Sequence, residues 1–189
     1  YYPDRSFATD DYEDDYELNR FFATTEIDTV IDRVESTYTT FAHGDTSDQS
    51  LRDSRTHRAF GGFSMGATTT WDVFSMRPQY FYGYMPMAGE SWIGRATDAD
   101  LDQIAQLLTA GSERADYGAG DFRILASVGS DDPALGDMSP QLDELRLDYP
   151  ELMTPDSLQL WVDEGETHSM ESVQNQVAHS LPLLLPPAQ

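Results

Sequence analysis

The chain contains no cysteine and no lysine. Without cysteine there are no disulfides, no thiolate metal ligands and no thiol nucleophile, and the redox compartment stays open. Without lysine, all 11 basic residues are arginine, and 34 acidic residues leave a net charge of −23. A surface this acidic repels phosphate backbones and anionic lipid, which excludes nucleic acid and membranes as partners. A salt-rich habitat and a biased composition with a solvated acidic face explain that charge equally well. No apolar run approaches the length of a membrane span. The opening Tyr1-Tyr2-Pro3-Asp4 does not read as a signal peptide, so any leader would lie upstream or have been removed.

What is present is a globular composition, 39% hydrophobic and 12% aromatic over 189 residues, enough for one domain with a sizeable core. No internal repeat or low-complexity linker divides it. Residues 1–16 are polar and acidic, and 10–15 read as a solvated loop. The run Asp10-Asp11-Tyr12-Glu13-Asp14-Asp15 lacks the glycine and spaced acids of a calcium loop. Apolar residues then recur at threes and fours from Leu18 to Phe41, which predicts a helix. Residues 43–56 are polar and read as a surface loop.

From there strands and helices alternate. Strands are expected at 57–63, 79–88, 122–128 and 157–162, with helices at 65–76, 98–108, 139–148 and 170–181. Gly111 serves as a helix stop, and prolines 182, 186 and 187 punctuate the tail. Short apolar strands alternating with helices predict an α/β fold, a parallel sheet covered on both faces.

The stretch that organises this pattern is Gly62-Phe63-Ser64-Met65-Gly66, a Gly-x-Ser-x-Gly placed where a strand ends and a helix begins. In a nucleophile elbow the serine sits on a sharp, strained turn with its hydroxyl clear of the sheet. Small residues two positions either side are expected because a Cβ there would meet the crossing backbone. The helix that follows aims free N–H groups at the site, so the Met65 N–H is the expected oxyanion donor. The Met65 side chain also lies within reach of a pocket there. The pentapeptide alone is weak evidence, because most Gly-rich matches are ordinary turns.

Context strengthens it. In parallel sheets, ligands sit at the carboxyl ends of the strands. Ser64, the pair Asp131-Asp132 and His168 each follow a predicted strand end, in the order serine, acid, histidine. The serine needs a base near neutral pKa, and the histidine needs an acceptor on its other nitrogen. Position alone leaves both aspartates open, and either could be an ordinary turn residue. His43 lies in a polar loop, His57 at the wrong end of a strand, and His179 in mid-helix. Glu90 and Trp92 follow another strand end. They read equally as pocket residues or as a surface acid and a core tryptophan. Trp71 and Trp161 read as core.

These motifs together resemble the feruloyl and acetyl-xylan esterases of the first carbohydrate-esterase family, in the esterase-D-like branch of the α/β-hydrolases. The segment from His57 to Gly66 with Thr69-Thr70-Trp71 is similar to that family's elbow. Met85-Pro86-Met87-Ala88-Gly89-Glu90-Ser91-Trp92 resembles its next strand and pocket loop. Gly129-Ser130-Asp131-Asp132 with Met138-Ser139-Pro140-Gln141 resembles its acid turn, and Gly165-Glu166-Thr167-His168 its histidine segment. The resemblance spans residues 20 to 185 and implies Asp132 as the acid. Ala67 departs from a glycine common in the family. The family's domain has further strands before the leading helix, and one of their loops gives a second oxyanion donor. The chain is therefore expected to be the C-terminal part of an α/β-hydrolase domain.

The resemblance implies a serine esterase with Ser64, Asp132 and His168 as catalytic residues, Met65 in the oxyanion hole, and Glu90 and Trp92 binding substrate. No metal and no organic cofactor is called for. The substrate would be a hydroxycinnamoyl (ferulate-like) or acetyl ester on xylan, and the location extracellular. Acyl transfer or thioester hydrolysis on the same site is one alternative. A non-catalytic carbohydrate-binding or scaffold protein is the other.

Overall fold

A computed structural model describes residues 12–184, with side chains from Tyr16 onward. The acidic residues 1–11 and the prolines at 186 and 187 lie outside the described residues. Four strands, β1 (Ala59–Phe63), β2 (Gly83–Met87), β3 (Arg123–Gly129) and β4 (Leu158–Asp163), form one parallel sheet in the order β1-β2-β3-β4. The register aligns their carboxyl ends: Phe63 opposite Met87, Met87 opposite Ser127, and Ser127 opposite Trp161. The loops that leave those ends therefore gather along one rim.

The helices are α1 (Tyr12–Phe21), α2 (Ile27–Thr37), α3 (Asp48–Asp53), α4 (Met65–Met76), α5 (Ile93–Thr97), α6 (Leu101–Arg114), α7 (Leu135–Asp148) and α8 (Met170–Leu184). Alternate strand residues serve two cores. Tyr84, Ile124, Ala126 and Val128 join the larger cluster, together with Trp71 and Phe74 of α4 and Leu108 of α6. Met85, Met87 and Leu125 face the other way, onto Leu184 of α8. Covering both faces is what makes these strands almost continuously apolar.

Several expectations change. The acidic run was expected to be loop through residue 15, yet α1 begins at Tyr12. The expected helix from Leu18 to Phe41 is two helices joined by a π-helical turn at Phe22–Glu26, ending at Thr37. The polar segment 43–56 holds α3 and a 3-10 turn at Arg55–His57, and it is anchored rather than loose. Arg55 is buried there, donating to the carbonyls of Pro78, Phe81 and Asp121 with its guanidinium over the Tyr117 ring. Three carbonyls satisfy a charge that polarity alone would have placed in solvent.

Gly111 does not stop a helix. It lies inside α6, buried, where a Cβ would come 2.1 Å from the Ser75 carbonyl oxygen of α4. Its role is close helix approach. Helix α5 was not expected, α7 begins four residues before the expected position 139, and α8 runs through Pro182. Trp161, expected in the core, is half-buried on β4 at the end of the strand order, its ring stacked on His179 at 4.1 Å.

Candidate active site

Ser64 stands between β1 and α4 with φ 59° and ψ −118°, a conformation that non-glycine residues rarely adopt. Its N–H donates to the Met87 carbonyl at 2.8 Å, while its own carbonyl accepts from Ala67 at 2.8 Å. These bonds fix the turn from both sides. Gly62 is required for it, since a Cβ there would lie 2.6 Å from the carbonyl carbon and oxygen of Gly66. The matching expectation for Gly66 is corrected. Among the described residues nothing beyond its chain neighbours and the local backbone of α4 lies within 4 Å of a Cβ at that position, so the crossing is tight on one side only. Met65 opens α4, and a first-turn N–H has no intrahelical acceptor. Its side chain is 40% exposed and is not among the residues lining the cavity at Ser64.

The candidate acid and base lie in the loops that follow β3 and β4. Asp132 is buried, at 3% exposure. Its Oδ2 meets His168 Nδ1 at 2.8 Å, and its Oδ1 accepts from the Ala134 N–H at 2.9 Å. Asp131 is exposed, and among the described residues its side chain hydrogen-bonds only its neighbour Ser130. Burial, a second hydrogen bond and the histidine contact all single out Asp132. The two loops are laced together. The Ser130 N–H donates to Asp163, the Asp131 N–H to Glu166, and the Gly165 N–H to Ser130 Oγ. The His168 ring rests against Phe63 at 4.4 Å, one residue before Ser64. His43, His57 and His179 are elsewhere: His57 stacks on Phe41, and His179 on Trp161.

A cavity of about 240 Å³ opens between these groups, lined by Ser64, Asp132 and His168 and walled by Glu90, Trp92, Arg95, Pro133 and Asp137 among others. The loop carrying Glu90 and Trp92 is held from behind. Trp71, fully buried, donates its indole N–H to the Gly89 carbonyl at 3.1 Å, and Thr68 Oγ1 donates to the Glu90 carbonyl at 3.1 Å. The Ser91 N–H donates to Gln141 Oε1 at 2.8 Å. Such support keeps a site's walls in register.

With that geometry in view, the comparisons are specific. A stretch of 157 residues, 81% of the chain, is 32% identical to Endo-1,4-beta-xylanase Y of Acetivibrio thermocellus. A serine-to-alanine mutant of the feruloyl esterase module from Clostridium thermocellum, complexed with sinapinate, superposes with a TM-score of 0.77 at 28% identity over 90% of the chain. A further solved structure, of a protein called FAE, gives 0.76 at the same identity and coverage. The chain shares the α/β-hydrolase fold of these esterase structures. It spans 58% of each of these solved chains and 14% of xylanase Y. No protein-family model matches it.

Sequence reasoning missed Arg95, Asp137 and Gln141. Arg95 and Asp137 line the cavity, while Gln141 supports its wall from 50 residues away in sequence. The only signal for Gln141 was its place in the Met-Ser-Pro-Gln segment after the acid turn. Among the described residues, one group has carboxylates close enough to hold a metal ion: Asp102, Glu144 and Asp148, which are not among the residues lining this cavity. No described helix is long and apolar enough to cross a membrane.

Proposed function

We propose that the chain carries the catalytic groups of a serine carboxylesterase acting on hydroxycinnamoyl or acetyl esters of xylan. The observation that carries this is the Asp132–His168 pair opening onto the same cavity as Ser64, which is held at a positive φ. Asp132 accepts a hydrogen bond from the Nδ1–H and so fixes the tautomer that leaves Nε2 free to act as a base. His168 takes the Ser64 proton as Oγ attacks the ester carbonyl, and the Met65 N–H stabilises the oxyanion. His168 then protonates the leaving sugar hydroxyl, and water clears the acyl-enzyme by the same route. No step needs a metal or an organic cofactor.

The chain spans 58% of the solved esterase chains, and in this reading the second oxyanion donor belongs to a part of the domain that it does not span. Glu90 and Trp92 would border the acyl group, as wall residues of the cavity. The neighbours' names, a xylanase and a feruloyl esterase module, support a cell-wall ester as substrate and secretion as the location. The test is hydrolysis of methyl ferulate and p-nitrophenyl acetate by the protein in its full native length, beside Ser64→Ala. Loss of the nucleophile should cost on the order of 10⁴-fold or more. Equal activity of the two proteins would sink the assignment.

A further inference from the structure

Arg95 ties the two walls of the cavity together. It sits on α5, its Nε donates to Glu90 Oε1 at 2.7 Å, and its Nη2 donates to Asp137 Oδ2 at 2.7 Å. Glu90 belongs to the loop after β2, and Asp137 to the first turn of α7. One wall is Ala88, Gly89, Glu90 and Trp92, and the other Pro133, Ala134 and Asp137, with Ser64 and His168 beyond them. We propose that Arg95 is a positioning residue that sets acyl selectivity. It fixes the separation of the walls and neutralises Glu90 beside the reacting ester. The inference rests on the esterase reading above.

A planar guanidinium presents donor edges in a rigid fork and can hold two carboxylates at once in a fixed geometry. A lysine ammonium is a point charge and cannot. The two arms differ in kind. The Glu90 side chain is 12% exposed, so removing its partner would leave a mostly desolvated charge uncompensated. That charge would also oppose the negative charge developing on the ester carbonyl. The Asp137 side chain is 57% exposed, so this arm adds little energy and mainly sets geometry. An acetyl group needs room only next to Ser64. A hydroxycinnamoyl group must lay an aromatic ring between the two walls. The clamp therefore acts far more on the large acyl group than on the small one.

The experiment compares Arg95→Lys, Arg95→Ala and Asp137→Asn with wild type, in the protein of full native length. It reads kcat and KM on methyl ferulate and p-nitrophenyl acetate, with thermal melting beside them. Arg95→Lys should lower the ferulate-to-acetate ratio of kcat/KM about tenfold, mainly through KM, and Asp137→Asn should lower it less. In parallel, sinapinate is titrated into Ser64→Ala with and without Arg95→Lys, and the second change should weaken binding about tenfold. A ratio that stays within about twofold overturns the inference. So does an equal fall on both substrates that follows the melting temperature, which would make Arg95 merely structural. If wild type and Ser64→Ala are equally active, the esterase reading fails instead, and the titration alone decides. Unchanged sinapinate affinity then overturns the inference, and a tenfold loss supports it.

Discussion

Asp132 and His168, in the loops that follow the paired strands β3 and β4, meet carboxylate to imidazole at 2.8 Å, the acid buried and the histidine side chain 40% exposed. The asymmetry suits their parts. A buried carboxylate keeps one orientation, and a histidine open to the cavity can reach substrate. Asp132→Asn should keep the fold yet present the wrong partner to Nδ1, lowering kcat by roughly 10³–10⁴-fold. Asp131→Asn should stay within about threefold, since Asp131 is exposed and does not touch the histidine. Steady-state kinetics on methyl ferulate with matched melting curves decide between them. Equal losses would return the acid role to the whole turn.

The elbow glycines should separate cleanly. A Cβ at Gly62 meets the Gly66 backbone at 2.6 Å, and neither side of that contact is a flexible side chain. Gly62→Ala should therefore destabilise by about 2 kcal/mol or more and distort the Ser64 turn. At Gly66 the space is open, and the residue is helical. Gly66→Ala should be neutral or stabilising by up to about 1 kcal/mol through helix propensity. Urea unfolding of both variants tests this, and a comparable loss in the two would contradict the one-sided crossing.

How much of this was legible in the sequence depends on range. The elbow helix was expected at 65–76 and runs over those residues, because the motif, the apolar strand before it and the helical run after it are all local. The parallel sheet followed from alternation. The first helix was placed too late because Tyr12 to Tyr16 has an acidic composition that hides a helix start. Gly111 was misread because propensity sees a helix breaker, whereas the close approach of Ser75 is tertiary. Arg95 and Asp137, 42 residues apart, carry no shared pattern, so the clamp they form is visible only in three dimensions.

Gln141 illustrates the same point as a prediction. Its Oε1 accepts the buried Ser91 N–H, holding the loop of Glu90 and Trp92. Gln141→Met keeps the volume and removes the acceptor. It should cost about 1–3 kcal/mol for the orphaned donor. It should also raise KM for methyl ferulate more than for p-nitrophenyl acetate, since the loosened loop forms one wall of the cavity. Denaturation and kinetics together check it. A stability loss without any change in the substrate ratio would reduce Gln141 to a packing role.

Asp72 gives the chain a pH dependence of its own. It is fully buried on α4, and among the described residues neither carboxylate oxygen has a hydrogen-bond partner. Burial pushes its pKa up to about 7 from 3.8, with partial relief from the Arg20 charge. A carboxyl whose folded pKa exceeds its unfolded one favours the folded state while it stays protonated. The contribution of Asp72 to stability is therefore most favourable below about pH 4, falls as pH rises from about 4 to about 7, and stays reduced above that. The charged form costs on the order of 4 kcal/mol relative to the neutral one. Asp72→Asn removes the titration, so its gain over wild type should be small at pH 4.5 and grow to a few kcal/mol at pH 8. Urea unfolding at the two pH values measures that difference. A gain independent of pH would mean that Asp72 stays in one protonation state across the range.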